Sequence, residues 1–550
     1  MGQSKTCSAC AGPFTPTERD AYFYRLFDVP APRQCPRCRF QRRIAFRNER
    51  TIYRRACSLC AKNFISVYHP DAPYQVYCTS CFYSDNWDQY ASGIDYDPQR
   101  SFFEQYYDLT LRAPKLGVQQ ANDLVNSDYT NHGAGLKDCY LTFACSGCEG
   151  CMFDNCVNGC VHVVDGLGVR DTELSYECVD CSGCYNLHFS QSCAHCTDSA
   201  FLYDCRSVNN CFMCANLRRG EYLVGNRQLS KLEYEQFRRG LDMGGAAALV
   251  EQRAAWTQMR AAAWQQALHI QQSENCLGDD VQQCKNCQEV FDLSASEDAR
   301  FCVYGSTLKS CCDVYAGYPR SELAYECVAT GSDSYHVLFS YLPWSASYIE
   351  YCINVVYAKH CFGSNQLHHS EYCILNKRYN PVDYEALRQR IISDMRARGE
   401  YGEFFPLQMS PFAYNETIAQ DYYPITAAQA ARANLLWRAR DEGECRVQLI
   451  ELPASIGETS DSILSHTLAC VDCAKNYRIA REELKFYRRV NVPVPGRCPD
   501  CRHRARFALR RPRALYSRTC AECSAEVSSS LAPGRSERVL CEACFYGKVY

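Results

Sequence analysis

Sixteen cysteines near the two ends of this chain have the type and spacing to hold metal ions. They form eight Cys-x-x-Cys pairs, grouped as Cys7, Cys10, Cys35 and Cys38; Cys57, Cys60, Cys78 and Cys81; Cys470, Cys473, Cys498 and Cys501; and Cys520, Cys523, Cys541 and Cys544. Two intervening residues let both thiolates of a pair face one ion, and two pairs complete the tetrahedral four-sulfur shell that zinc accepts. At either end, 24 residues separate the pairs of the first group and 17 those of the second. Four zinc sites are expected. Protein sulfur fills every ligand position and leaves none for water or substrate, so the sites should be structural.

The eight pairs are one set used twice. Cys7 to Cys81 recur as Cys470 to Cys544 at a constant offset of 463, without a gap. Phe23-Tyr24 matches Phe486-Tyr487, Pro30 and Pro32 match Pro493 and Pro495, and Phe82-Tyr83 matches Phe545-Tyr546, which makes the ends a duplication. The first unit of each end has two pairs, a Thr15-x-x-Glu18 type of helix start, the Phe-Tyr, the Pro-x-Pro and an Arg-rich tail. It resembles the probable zinc-ribbon domain of treble-clef type. "YSDNWDQYASGIDYDPQRSFFEQ" and "GEFFPLQMSPFAYNETIAQDYYPIT" extend the likeness. Over nearly its full length the chain is similar to long cysteine-rich proteins of candidate-phylum bacteria, a resemblance that implies no assigned activity.

Behind the first group at each end the sequence turns basic. Arg39, Arg43, Arg47 and Arg50 correspond to Arg502, Arg506, Arg510 and Arg513, and steps of four, four and three put each set on one face of a helix. Ile44 and Phe507 fall on another face, so the stripe is expected at the surface, with Pro512 ending the second helix near Arg510. A basic stripe on a zinc module suggests phosphate contacts with RNA or DNA, or with a ribonucleoprotein such as the ribosome. The competing reading is charge balance, because a four-thiolate zinc site carries a formal charge of about −2. Residues 1–90 hold 13 Lys and Arg against 7 Asp and Glu, residues 466–550 hold 17 against 8, and the middle holds 29 against 47. Basic ends can therefore dock on an acidic body, that of the same chain or of a second copy. Such a body also repels a polyanion.

These sites need elements to position them, and 550 residues with 47% apolar content suffice for several domains. No apolar run approaches the roughly 20 residues of a membrane span. The start "MGQSKTCSAC" lacks the apolar core of a secretory signal, so a cytoplasmic protein with no membrane partner is expected, its 41 cysteines reduced rather than disulfide-bonded. A second, looser duplication with an offset near 150 fills residues 137–397, where "LSYECVDCSGCYNLHFS" reads against "LAYECVATGSDSYHVLFS". Short runs such as "CYLTF", "CVHVVD", "YNLHF" and "EYLVG" recur every 10 to 16 residues, tend to alternate, and are separated by Gly, Asn, Asp and Ser. They read as a coiled β-solenoid. Ser230 and Asn380-Pro381 open helices, and an Ala-rich helix is expected over 246–272, each to cover a solenoid end.

The expected fold class is thus multidomain α+β, with tandem zinc-ribbon or treble-clef modules at both ends of a duplicated β-solenoid-like body with capping helices. The expected divisions are 1–90 (two four-cysteine sites), a connector over 91–136, solenoid-like repeats with helical caps over 137–275 and 276–400, a linker over 401–465, and 466–550 (two four-cysteine sites).

The middle cysteines offer a rival chemistry. Cys145, Cys148, Cys151 and Cys156, then Cys178, Cys181 and Cys184, then Cys193, Cys196, Cys211 and Cys214, are close enough for an iron–sulfur cluster or more zinc. Unligated cysteine is also a small residue that stacks well in a core. In the second copy Cys184 and Cys214 correspond to Ser334 and Ser364, an exchange that a stack tolerates and a metal shell does not. No metalloprotease helix, nucleophile elbow or phosphate loop stands out. A non-catalytic zinc-binding scaffold or interaction protein is expected, with nucleic acid, a ribonucleoprotein or another copy of the chain as partner. A metalloenzyme or redox protein with its centre in residues 139–214, and a structural assembly subunit, are the alternatives.

Overall fold

The computed structural model describes residues 4–121, 123–439 and 451–550. It is a mixed α/β structure with twelve α-helices among the described residues and many short strands. The chain divides into two compact units, neither continuous in sequence. One joins Met1–Val118 to Leu268–Arg438 and Arg513–Leu515, and the other joins Gln119–Ala267 to Ala439–Pro512 and Tyr516–Tyr550. Each cysteine-rich end thus shares a unit with the body copy more distant from it along the chain. No helix among the described residues is long and apolar enough to cross a membrane.

The body of each unit is a parallel ladder. In the second, Glu173 pairs with Tyr185, Tyr185 with Thr197, and Thr197 with Asn209, a step of twelve residues per rung. Single bridges such as Ala134–Ser146 and Ser146–Asn158 carry the same step back toward the start. In the first, Ser347 pairs with Lys359 and Lys359 with Glu371, while Cys312–Tyr325 and Glu322–Tyr335 each admit one extra residue.

Within a rung the period is three, not the two suggested by the alternating runs. From Asp171 to Tyr222 every third residue is left-handed, with φ between 45° and 66°. Asp, Asn and Ser, together with Gly183, take many of these positions because they tolerate that conformation best. The residue after each such turn faces inward, and these residues form a core of their own from Leu136 to Leu223 made of Cys, Val and Leu.

The inward residues do more than fill space. Of the three N–H groups in each step, two join the ladder, as Arg170 does to the Cys181 carbonyl and Asp171 to that of Asn158, both at 2.9 Å. The third points inside, and where a small polar side chain stands one rung back it accepts that N–H. Thr172 N–H donates to Cys160 Sγ at 3.4 Å, Cys184 N–H to Thr172 Oγ1 at 3.2 Å, and Cys196 N–H to Cys184 Sγ at 3.5 Å. The Cys184 thiol in turn donates to the Ser182 carbonyl at 3.2 Å. Cysteine, threonine and serine are interchangeable here because each offers an acceptor and a donor on a short stem. In the second copy serine stands for Cys214 at Ser364, whose hydroxyl donates to the Cys373 carbonyl at 3.5 Å, and for Cys184 at Ser334.

A second core in each unit lies between ladder and module. Met152, Tyr176, Phe189 and Phe201 meet Leu484, Phe486 and Tyr487 in one unit, and Tyr325, Leu338 and Tyr351 join Phe23, Phe40 and Phe46 in the other. Helices Lys231–Gly240 and Pro381–Arg398 start at Ser230 and Asn380, whose side chains accept the expected N–H bonds. Tyr234 and Tyr384 then pack on the last rungs against Tyr222 and Tyr372. Two local expectations are corrected. The helix from Ala246 stops at Ala262, because Trp264–Gln266 leaves to pair in parallel with Arg538–Leu540, a tertiary contact that overrides alanine propensity. The first helix is capped by Thr17 with Asp20 rather than from Thr15.

Lys115 is buried beside the first ladder, its ammonium donating to Asn365 Oδ1 at 3.0 Å. Burial lowers its pKa from 10.5 to about 7. The unfolded chain therefore holds the extra proton between about pH 7 and pH 10.5, and stability should rise across that window with a slope of up to about 1.4 kcal/mol per pH unit. In urea titrations Lys115→Met should remove this slope. In the same assay Cys184→Ser should be nearly neutral, whereas Cys184→Ala, which strands the Cys196 N–H, should cost about 1–3 kcal/mol.

Candidate metal centres and the arginine helices

The structure brings all sixteen end cysteines together as the four expected quartets, the ligand atoms of each lying within 4.8 Å of one another. All four are built alike. The first pair sits in the turn of a two-stranded hairpin, closed by a left-handed residue at Ala11, Ala61, Ala474 or Ser524. The second pair opens a helix: Cys35, Cys78, Cys498 and Cys541 are N-cap residues with φ of −61° to −66°. Both thiolates of that pair therefore lie at the positive end of the helix dipole.

The donor set fits a tetrahedral ion. The Cys10–Cys35 and Cys60–Cys78 sulfurs are 3.9 Å apart, and the Cys473–Cys498 and Cys523–Cys541 sulfurs 3.8 Å. A tetrahedron with metal–sulfur bonds of about 2.3 Å has an edge of about 3.8 Å, whereas a disulfide requires about 2.05 Å. No disulfide joins the described cysteines. Backbone amides point at the first sulfur of each quartet, as Cys35 N–H does at Cys7 Sγ (3.2 Å) and Cys78 N–H at Cys57 Sγ (3.3 Å). Against a burial that alone would raise them, these donors lower the Cys7, Cys57, Cys470 and Cys520 thiols to about 6. Burial, followed by the neighbouring sulfurs, pushes Cys38 and Cys501 the other way, so an ion must displace their protons to bind.

The arginine stripe lies where the sequence reading did not put it. The helices run only from Pro36 to Ile44 and from Pro499 to Phe507, so Arg47, Arg50, Arg510 and Arg513 fall beyond them. Arg39, Arg43, Arg47, Arg502 and Arg506 are buried rather than at the surface. The reason is a set of carboxylates on the ladders. Arg39 and Arg43 both bond Asp313 at 2.7 Å, and Arg43 also meets Glu326 at 3.1 Å, every side chain being at most 1% exposed. Arg42, which sequence reasoning missed, spans Glu326 at 3.1 Å and Glu403 at 2.7 Å. Arg47 bonds Glu49.

The other unit repeats the device. Arg502 meets Asp165 at 2.9 Å and Glu483 at 3.2 Å, and Arg506 bonds Asp165 and the Phe153 carbonyl. Arg510 reaches Asp180 at 2.8 Å; back in the first unit, Arg513 pairs with Asp292 and Arg50 is half-buried. Glu177, the counterpart of Glu326, is taken by Arg253 at 2.7 Å instead. Asp165, Glu177, Asp313 and Glu326 all occupy left-handed turn positions that aim them outward. Burial raises the Asp313 carboxyl, and Arg39 and Arg43 more than offset it, holding it below the ordinary carboxylate range.

The partners were visible in the sequence as acids inside apolar runs repeated between copies, Glu177 in "LSYEC" and Glu326 in "LAYEC". Among the described residues, the middle thiols join no group of three ligand atoms within 4.8 Å; the Cys181, Cys184 and Cys196 hydrogens go to backbone carbonyls and that of Cys156 to Asn155 Oδ1. One further group, His269 with Asp279 and Asp280, meets that distance criterion. There Asp279 accepts the His269 backbone N–H at 2.8 Å and faces its Nδ1 at 2.9 Å.

No family model matches the chain, and no curated protein matches it.

Removing one partner from a buried ion pair strands the other charge, at a cost of about 3–5 kcal/mol. Asp313→Leu and Asp165→Leu should each destabilise their own unit by that amount in urea unfolding. The double change Asp313→Leu with Arg43→Met should recover part of the loss.

Proposed function

We propose that this chain is a non-catalytic, zinc-organised scaffold, in which zinc modules at the two ends act as clasps on duplicated β-solenoid bodies. The observation that carries the reading is the placement of metal ligands and docking arginines on the same nine-residue helices, Cys38 beside Arg39 and Cys501 beside Arg502. A helix this short is marginal alone, and a four-sulfur zinc shell anchors its first turn. Zinc fits because it accepts tetrahedral thiolate without redox change. The hairpin pair and helix-capping pair of each quartet support the likeness to treble-clef zinc ribbons. The twelve-residue step of most rungs and the separate inward core support the solenoid reading.

Of the two readings of the arginines, docking on the acidic body is favoured over phosphate contact, because guanidinium groups bonded to buried carboxylates have little left to offer a polyanion. A partner, whether a protein or a nucleic acid, would then be met by other surfaces. The thiol-to-carbonyl bonds of the middle cysteines weigh against an iron–sulfur centre there.

Elemental analysis of the purified chain should give about four zinc per molecule and no visible absorbance. Iron with visible absorbance would favour the redox alternative. At physiological salt, RNA and DNA should show no mobility shift that chelation abolishes. A chelator-sensitive, salt-dependent shift would favour phosphate contact.

A further inference from the structure

The four quartets share a geometry but differ in what surrounds them. In the quartets of Cys57, Cys60, Cys78 and Cys81 and of Cys520, Cys523, Cys541 and Cys544, here called outer, one sulfur is buried and three reach the surface, with Cys60 and Cys523 exposed. In the inner quartets, Cys7 and Cys38 are buried at one end, and Cys470, Cys498 and Cys501 at the other. The mechanical ties differ too. The inner helices carry the arginines bonded to Asp313, Glu326 and Asp165, so opening an inner quartet from its helix side strands buried carboxylates. The outer second pairs instead follow strands, Val76–Tyr77 beside Lys115–Leu116 and Arg538–Leu540 beside Trp264–Gln266. The ion pair that Lys548 of the last helix makes with Glu522 is exposed.

We propose that the outer quartets are exchangeable metal sites, which give their ion to a thiol-bearing acceptor and take it back, while the inner quartets hold theirs for the life of the fold. This inference rests on the zinc reading. Ligand exchange at a closed four-sulfur shell needs an incoming sulfur to reach the ion as a bound one leaves, and the edges Cys60–Cys78 and Cys523–Cys541 are open to it; the inner Cys10–Cys35 edge is exposed as well, and there the buried arginine pairs make the difference. The acceptor's thiol loses its proton as the new metal–sulfur bond forms, the departing Cys60 or Cys523 sulfur takes up a proton, and no electron moves. At an inner quartet the same step must also pull a buried arginine from its carboxylate. Accessibility further orders the inner pair. The quartet with exposed Cys10 should yield before the one containing Cys470, which has no exposed sulfur.

The test uses the full zinc-loaded chain and an excess of a synthetic peptide bearing two Cys-x-x-Cys pairs. Native mass spectrometry counts the zinc and far-ultraviolet circular dichroism follows the ladders. A count of four before the peptide is added secures the zinc reading independently, and any other count or metal refutes that reading rather than this one. Two ions should leave at least tenfold faster than the other two, with the ladder signal unchanged. Cys60→Ser and Cys523→Ser should each remove one ion from the fast phase. Asp313→Leu with Asp165→Leu should speed the slow phase alone. Release of all four ions in one phase, or loss of ladder signal with the first two, would overturn the proposal.

Discussion

The structure depends on buried guanidinium–carboxylate bonds made by helices too short to stand alone. Asp313 and Glu326 in one unit and Asp165 in the other are fully buried. A charge so placed is tolerated only when paired and hydrogen-bonded. The pairs are delivered by nine-residue helices whose first turn holds two cysteines of a quartet. On the zinc reading, metal ligation, helix formation and charge burial are one event rather than three. The separate modules at the chain ends become parts of larger units through it and through the apolar cores that they share with the ladders.

The ladders meet a different constraint. Every rung turns one N–H per three residues toward a buried interior, where an acceptor stabilises it. Where cysteine, serine or threonine stands one rung back it supplies that acceptor, as at Cys160, Thr172 and Cys184, and the Cys184 hydrogen goes to a carbonyl of its own turn. The abundance of cysteine in the body thus has a hydrogen-bonding cause, separate from the metal chemistry of the ends. The two populations of thiol share a residue type and nothing else.

Much of this was legible beforehand. The quartets followed from spacing alone, because Cys-x-x-Cys geometry is local. The internal copies were visible as offsets of 463 and near 150. The period of three was also present, since thirteen of the fourteen cysteines from Cys139 to Cys214 share one phase of it. It was read instead as alternation, since strands ordinarily have a period of two and left-handed turns at every third residue leave no propensity signal of their own. The arginines were misplaced for a related reason. Helical periodicity reports which residues share a face, not what that face meets, and the deciding partners Asp313, Glu326 and Asp165 lie hundreds of residues away in sequence. The charge imbalance between ends and middle pointed to docking, but only the pairing of each end with the more distant body copy shows which carboxylates take part.

The account turns on whether the bound ions hold the arginine helices against the ladders. Hydrogen exchange of the intact chain, zinc-loaded and after complete chelation, measures this at the docked strands. The account predicts that protection of Cys312–Gly317 and Ser321–Val328 in one unit, and of Val161–Val164 in the other, falls on chelation. Equal protection at these strands with and without metal would contradict it.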